Sequence, residues 1–130
     1  MNVTDDPFTT QIRVYAEDTD MMGIVYHANH LCFLERARTE MLRAAGWSLS
    51  RLAEQNCQFA IADVHIRFHA PAKLDDMLVI ASEIVKESPC SLLFAQTMDN
   101  QEQTRICDAK VKVVCIDSNM KVRRLPGNLR

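Results

Sequence analysis

"ANHLCFLERARTEMLRAA", residues 28–45, is the stretch on which the fold turns. Its apolar residues Leu31, Leu34, Ala37, Met41, Leu42 and Ala45 recur at steps of three and four, while Arg36, Glu40 and Arg43 take the other side. That period belongs to an amphipathic helix of about five turns. Asn29 is the expected N-cap and Gly46 the expected stop, so each end has a local chemical reason. An apolar stripe of this length needs a surface to bury against, and the flanking segments read as strands.

On the N-terminal side, "QIRVYAE", residues 11–17, alternates Ile12, Val14 and Ala16 with Gln11, Arg13 and Tyr15, which is short but strand-like. On the C-terminal side a short polar segment, "WSLSRLAEQN", precedes "CQFAIADVHIRFH". There Phe59 and Ile61 share one parity and Val64, Ile66 and Phe68 the other, so a bulge or face change is expected near Ala62 and Asp63. "APAKLDD" is a turn by composition, and "MLVIASEIV", "SLLFAQTM" and "RICDAKVKVVCID" are three further strands. The last sets Cys107, Ala109, Val111, Val113 and Cys115 against Asp108, Lys110 and Lys112, giving one buried face and one wet face. One long helix and about five strands, mostly joined by short turns, make an α+β domain: an antiparallel sheet with the helix across one face. At 130 residues, with no repeat and no linker, a single domain over residues 1–130 is expected, with polar ends at 1–10 and 118–130. One helix covers one face only, so the open edges and remaining apolar surface predict that two copies pair.

The composition narrows the function. A formal charge of -2, with acids and bases mixed, offers no basic field for nucleic acid. Five cysteines, Cys32, Cys57, Cys90, Cys107 and Cys115, form no close pairs, which predicts reduced thiols and no thiol nucleophile. "MNVTDDPFTT" lacks the basic start and apolar stretch of a signal peptide, and no run is long enough to span a bilayer, so a cytoplasmic protein is expected.

The chemistry concentrates in "EDTDMMGIVYHANH", Glu17 to His30, where three carboxylates, a glycine and histidines stand at the mouth of the helix. With its continuation, "QIRVYAEDTDMMGIVYHANHLCFLERARTEMLR", and the later "APAKLDDML" and "VVCID", the chain resembles the 4-hydroxybenzoyl-CoA thioesterase family of hotdog-fold proteins. Within that family it is similar to the Tol-Pal-associated acyl-CoA thioesterase branch, from about Gln11 to Pro126. The resemblance implies a hotdog fold, a strongly curved antiparallel sheet wrapped around the long helix. It implies dimers paired edge to edge, stacking into homotetramers, with sites at the dimer interface. It also implies hydrolysis of a short-chain or aromatic acyl-CoA to free acid and coenzyme A, with no cofactor and no metal. Acyl carrier protein is a further candidate partner.

Carried over by position, the family's catalytic carboxylate falls on Asp20, as nucleophile or as the base that activates water. A thioester carbonyl is already electrophilic, so a placed carboxylate and an oxyanion donor suffice. The implied donor is a backbone N–H near His27, at the positive end of the helix, and Gly23 allows the tight turn before it. The His27 side chain is a candidate second catalytic group, orienting Asp20 or protonating the leaving thiolate. Gly23, Tyr26, Ala60, Ile61 and Ala62 are the implied substrate-binding residues.

Plainer readings stand beside these. Asp20 also reads as a loop acid capping a turn, His27 as a polar surface residue, Asp18 and Glu17 as solvated loop acids, and residues 60–62 as core. Glu35 is a rival catalytic carboxylate on the helix, with an ion-pair network to Arg36, Arg38 and Arg43 as its other role. His30 replaces a tyrosine common in relatives, and Met21 and Met22 replace small residues, which bears on pocket shape. His65 and His69 share a strand face, yet no acid or cysteine spacing completes a metal site with His27 or His30. Lys73, Arg67, Arg123 and Arg124 are candidates for the phosphates of coenzyme A. Two other functions fit the same pattern: a hydratase or dehydratase of acyl thioesters, and a scaffold that holds acyl carrier protein or phospholipid-synthesis enzymes near the inner membrane.

Overall fold

A computed structural model describes residues 6–127. The elements are β1 (Phe8–Arg13), α1 (His27–Ala44), α2 (Leu49–Glu54), β2 (Gln58–Phe68), β3 (Met77–Ser88), β4 (Ser91–Asp99) and β5 (Arg105–Ile116). The five strands form one antiparallel sheet in the order β1-β3-β4-β5-β2, so β1 and β2 are its edges. The period-two pattern decides which face is inside. Leu78, Ile80, Ser82 and Ile84 of β3, Leu92, Phe94, Gln96 and Met98 of β4, and alternate residues from Cys107 to Cys115 of β5 are all buried. Helix α1 fills that face with Phe33, Leu34, Ala37 and Leu42. Each of the large apolar ones, Phe33, Leu34 and Leu42, contributes about 1.5–3 kcal/mol on burial.

The helix and the later strands stand where their periods put them, and the bulge of β2 falls at Ala62, between Ile61 and Asp63, as expected. Several boundaries differ. Strand β1 begins at Phe8 and ends at Arg13, because its partner β3 begins at Met77 and the pairing runs out there. Phe8, Thr10 and Ile12 continue the inward parity into residues expected to be a polar end, and residues 16–18 form a 3-10 turn instead of strand. The segment after α1 is not a plain loop: Ser48 caps α2, its Oγ accepting the Arg51 N–H at 3.1 Å, and Leu52 is buried. The chain after β5 also packs, since Arg123 N–H donates to the Cys115 carbonyl, Leu125 N–H to the Pro89 carbonyl, and Leu125 is buried.

One expectation on a single residue is corrected. Asn29 is not the N-cap of α1; Tyr26 is, and Asn29 is the third helical residue, turning its side chain to a loop carboxylate described below. Cys57 and Cys115 lie side by side in the core with their Cα atoms 5.9 Å apart, while Cys32, Cys90 and Cys107 stand apart from them. No helix among the described residues is long and apolar enough to cross a membrane.

At its other end α1 stops as the sequence suggests. Gly46 has φ of +90°, its N–H donates to the Arg43 carbonyl at 2.9 Å, and the Trp47 N–H donates to the Leu42 carbonyl at 2.8 Å. These two bonds close the helix through a left-handed residue. A Cβ at Gly46 would meet nothing nearer than Arg51 Nη1 at 3.9 Å, so the strain of substitution is in the backbone alone. Gly46→Ala is therefore expected to lower unfolding stability by about 1–2 kcal/mol. Urea unfolding checks this, and an unchanged midpoint would show that the turn relaxes out of the left-handed region.

Candidate active site

The loop between β1 and α1 is tied together by a buried acid. Asp18 accepts the Tyr15 N–H at 2.9 Å on one carboxylate oxygen and the Asn29 side-chain amide at 3.2 Å on the other, and its carbonyl accepts the Tyr26 N–H at 3.0 Å. Asp18 thus fixes the loop to the first turn of the helix. Between Asp18 and Tyr26 the chain makes a small hairpin: Thr19 bridges Val25, Asp20 N–H donates to the Ile24 carbonyl, and Gly23 N–H donates back to the Asp20 carbonyl. Gly23 stands at φ of +78°, which a residue with a side chain adopts only at a cost. The hairpin is stitched on its other side to the loop before β3, by Val25 N–H to the Ala72 carbonyl and Leu74 N–H to the Gly23 carbonyl.

Asp20 is therefore an exposed side chain on an anchored turn. One carboxylate oxygen accepts the Met22 N–H at 2.8 Å, and no other partner engages it among the described residues. Three residues beyond Ile24 the helix begins with no side-chain cap. The Asn29 N–H folds back on the Tyr26 carbonyl at 2.8 Å, which leaves the amides of His27 and Ala28 as open donors at the positive end of an 18-residue helix. A carboxylate on a rigid turn beside two open amides can attack, or direct water at, a carbonyl whose oxygen those amides hold.

The side chain of His27 lies against Tyr26, ring centroids 4.5 Å apart, and both are exposed. His27 makes no contact with the Asp20 carboxylate within this chain. His30 is buried, with Nδ1 3.0 Å from the His27 carbonyl and its ring edge-on to Phe68 at 5.0 Å. A carbonyl partner requires that Nδ1 carry the proton. Burial lowers the pKa of this imidazole, more than its carbonyl partners raise it.

A second region lies along the helix. A cavity of about 560 Å³ opens between α1, α2 and the β2 and β5 strands, walled by Leu42, Leu52, Phe59, Phe94 and Val111 among others. Of the residues expected in the substrate pocket, Ile61 lines it; Ala60 and Ala62 stand beside it on β2, and Asp20, Gly23, Tyr26 and His27 are elsewhere, on the hairpin and helix start. One chain does not bring the two groups together. The carboxylate that does line the cavity is Glu35. The ion-pair network expected around Glu35 is absent among the described residues: Arg43 pairs with Glu40, Arg36 lies over the Phe33 ring, and Arg38 turns into the core.

Arg38 and its partners were not anticipated. Arg38 donates from Nη1 to Gln96 Oε1 at 3.0 Å, and the Gln96 amide donates to the Leu34 carbonyl at 3.0 Å and to Ser82 Oγ at 2.9 Å, all buried. Elsewhere His69 is held by Asp108 at 2.5 Å, and Arg123 is occupied by the Gln55 and Asn56 carbonyls. Burial, with Asp108 beside it, pushes the Cys107 thiol up to about 12, far from a reactive thiolate.

Comparison with known proteins gives a consistent setting. A family model described as Thioesterase-like superfamily matches residues 14–129. The acyl-CoA thioester hydrolase YbgC of Escherichia coli O6:H1 is 45% identical over 123 residues, covering 94% of this chain and 92% of that protein. The acyl-CoA thioesterase YbgC of Haemophilus influenzae is 40% identical over 128 residues, covering 97% and 93%. Among solved structures, a probable thioesterase from Bartonella henselae superposes with a TM-score of 0.86 at 36% identity, covering 91% of this chain and 98% of that one.

The state of His30 gives a pH prediction. Its folded-state pKa lies below the usual 6.5, so the stability associated with the neutral ring is intact above pH 6.5 and is lost as pH falls from there toward the folded value. Urea unfolding of wild type and His30→Phe across about pH 7.5 to 5 should show a loss of stability on acidification that is steeper in the wild type. Equal slopes in the two proteins would place that titration on other groups.

Proposed function

We propose that Asp20 and the first turn of α1 carry the chemistry of this chain, which belongs to the Thioesterase-like superfamily and is an acyl-CoA thioester hydrolase. The observation that supports this placement is the uncapped helix start: open amides at His27 and Ala28 stand at the end of the hairpin that holds Asp20. The thioester carbonyl oxygen sits on those amides, which grow more favourable as negative charge develops on it. Asp20 either bonds to the carbonyl carbon, breaking the carbon–sulfur bond to leave an acyl anhydride that water then hydrolyses, or takes a proton from the water that attacks, after which the carbon–sulfur bond breaks. By either route the thiolate of coenzyme A takes up a proton and the acyl group leaves as the free acid. His27 acts through its backbone, and its side chain is a candidate proton donor to the thiolate.

Gly23 and Tyr26 frame the approach to this turn, and Ala60, Ile61 and Ala62 form a wall supplied by β2. That strand is an unpaired edge carrying Ile61, Val64 and Phe68, which are 53%, 38% and 50% exposed. A second copy paired along β2 covers these side chains and brings the wall of one copy toward the hairpin of the other, and a dimer of such dimers makes the homotetramer. The cavity under α1 receives the acyl group; its size suits a short aliphatic chain or an aromatic ring. We place the protein in the cytoplasm and in the Tol-Pal-associated branch, with coenzyme A as carrier and acyl carrier protein as an alternative carrier of the same thioester.

A second reading rests on Glu35, because it lines the cavity and Asp20 does not. Thiol release from acyl-CoA, followed with a thiol-reactive dye, separates the two. Asp20→Asn, which keeps the shape and removes the charge, should lower kcat by about 10²–10⁴-fold, and far more than Glu35→Gln does. The reverse order assigns the attack to Glu35. A large loss in His27→Ala would assign its side chain to the reaction, since that change leaves the backbone donor in place.

A further inference from the structure

The cavity is lined mostly by apolar side chains, and among its few polar ones Arg38 is the cation. Arg38 enters it from α1, 8% exposed, and its guanidinium lies over the Phe94 ring at 5.9 Å. Of its five N–H donors one is used, from Nη1 to Gln96 Oε1. Gln96 in turn is fixed, because its own amide is spent on the Leu34 carbonyl and on Ser82. No carboxylate lies within ion-pair distance of Arg38 among the described residues. Yet no nitrogen of Arg38 is both fully enclosed and unpartnered. The nitrogens without a partner therefore keep some accessible surface, and the space Arg38 borders is the cavity. A buried guanidinium with one hydrogen bond is incomplete, since burial of a charge is costly until its donors are matched.

We propose that Arg38 reads the far end of the acyl group, so that the cavity takes an acyl chain bearing an oxygen acceptor, hydroxyl or carboxylate, at its distal end. This rests on the reading that the cavity under α1 receives the acyl group. Burial lowers the pKa of Arg38, and Glu35 one turn away favours its charge. Glu35 also faces an incoming anion from the same wall, which makes a neutral hydroxyl and a carboxylate distinguishable guests. The remaining polar lining side chains, Thr39 and Gln58, carry no charge.

The test is a ladder of coenzyme A esters of hexanoic, octanoic and decanoic acids, each as the plain alkyl, ω-hydroxy and ω-carboxy form, with thiol release as readout. In the wild type one oxygenated form is expected to exceed the alkyl ester of the same length in kcat/KM by about tenfold or more, because a hydrogen bond to a charged donor is involved. In Arg38→Met that ratio should fall by about ten- to a hundredfold, whatever happens to the alkyl rate, and Arg38→Lys should recover part of it. The proposal is overturned if the wild type cleaves alkyl esters as well as both oxygenated forms at every length. It is equally overturned if Arg38→Met lowers all three forms by one common factor, which is what a purely structural arginine would do. Should Arg38→Met not fold, the wild-type ladder decides alone. Ala53→Trp, which fills the cavity mouth from α2, separates failure of the underlying reading. If it leaves the chain-length profile of the alkyl esters unchanged, the acyl group lies elsewhere, and the cavity assignment falls along with the proposal.

Discussion

The structure depends on burying one side of α1 in the inner face of a single five-stranded sheet. Phe33, Leu34, Ala37 and Leu42 on the helix meet inward residues of β3, β4 and β5, and this contact leaves the outer face of the helix and both its ends near solvent. At the C-terminal end a left-handed glycine satisfies the last carbonyls. At the N-terminal end no side chain among the described residues caps the first amides. A helix held by its side can leave its start open, because about 18 residues of packing, not the cap, supply its stability. The open helix start on which the proposed site rests is in this sense a by-product of the core.

Within that contact one polar junction sets position as apolar packing cannot. Gln96 accepts from Arg38 and donates to the Leu34 carbonyl and Ser82, so one side chain on β4 fixes the helix in both rotation and height. Hydrogen bonds are directional where hydrophobic contact is not, and stranding a buried partner costs about 1–3 kcal/mol. The same junction holds the arginine still at the cavity wall. Rigidity of the scaffold and shape of the pocket are thus linked through Gln96.

Much of this was legible in the residues. The three- and four-residue steps of α1, the parity change at Ala62 and the alternation of β5 are direct consequences of backbone geometry, and each appears in the structure. The tight turn expected at Gly23 before the helix appears as its positive φ. What failed depended on partners distant in sequence. The end of β1 is set by where β3 begins, 64 residues after Arg13, and Asn29 is drawn off its capping role by the Asp18 carboxylate. Arg38 had a signal that was available: it stands four residues from both Leu34 and Leu42, on the apolar stripe. Gln96 and Ser82 likewise interrupt the inward parity of β4 and β3. Three polar residues at apolar positions of three elements indicate a buried network, and only the fold shows that they meet.

The separation of Asp20 from the cavity has a geometric cause. Both lie along α1, but the hairpin is bound to the loop before β3, while the cavity is bounded by β2 and β5 on the far side of the sheet. The exposed side chains on β2 and the exposed Asp20, Tyr26 and His27 are two half-surfaces on one molecule. In the dimer we propose, a twofold relation between copies along β2 lets each half meet its complement twice, with the same contacts in both places. The apolar surface covered in that proposed pairing stabilises the pair, and the proposed site forms at the join.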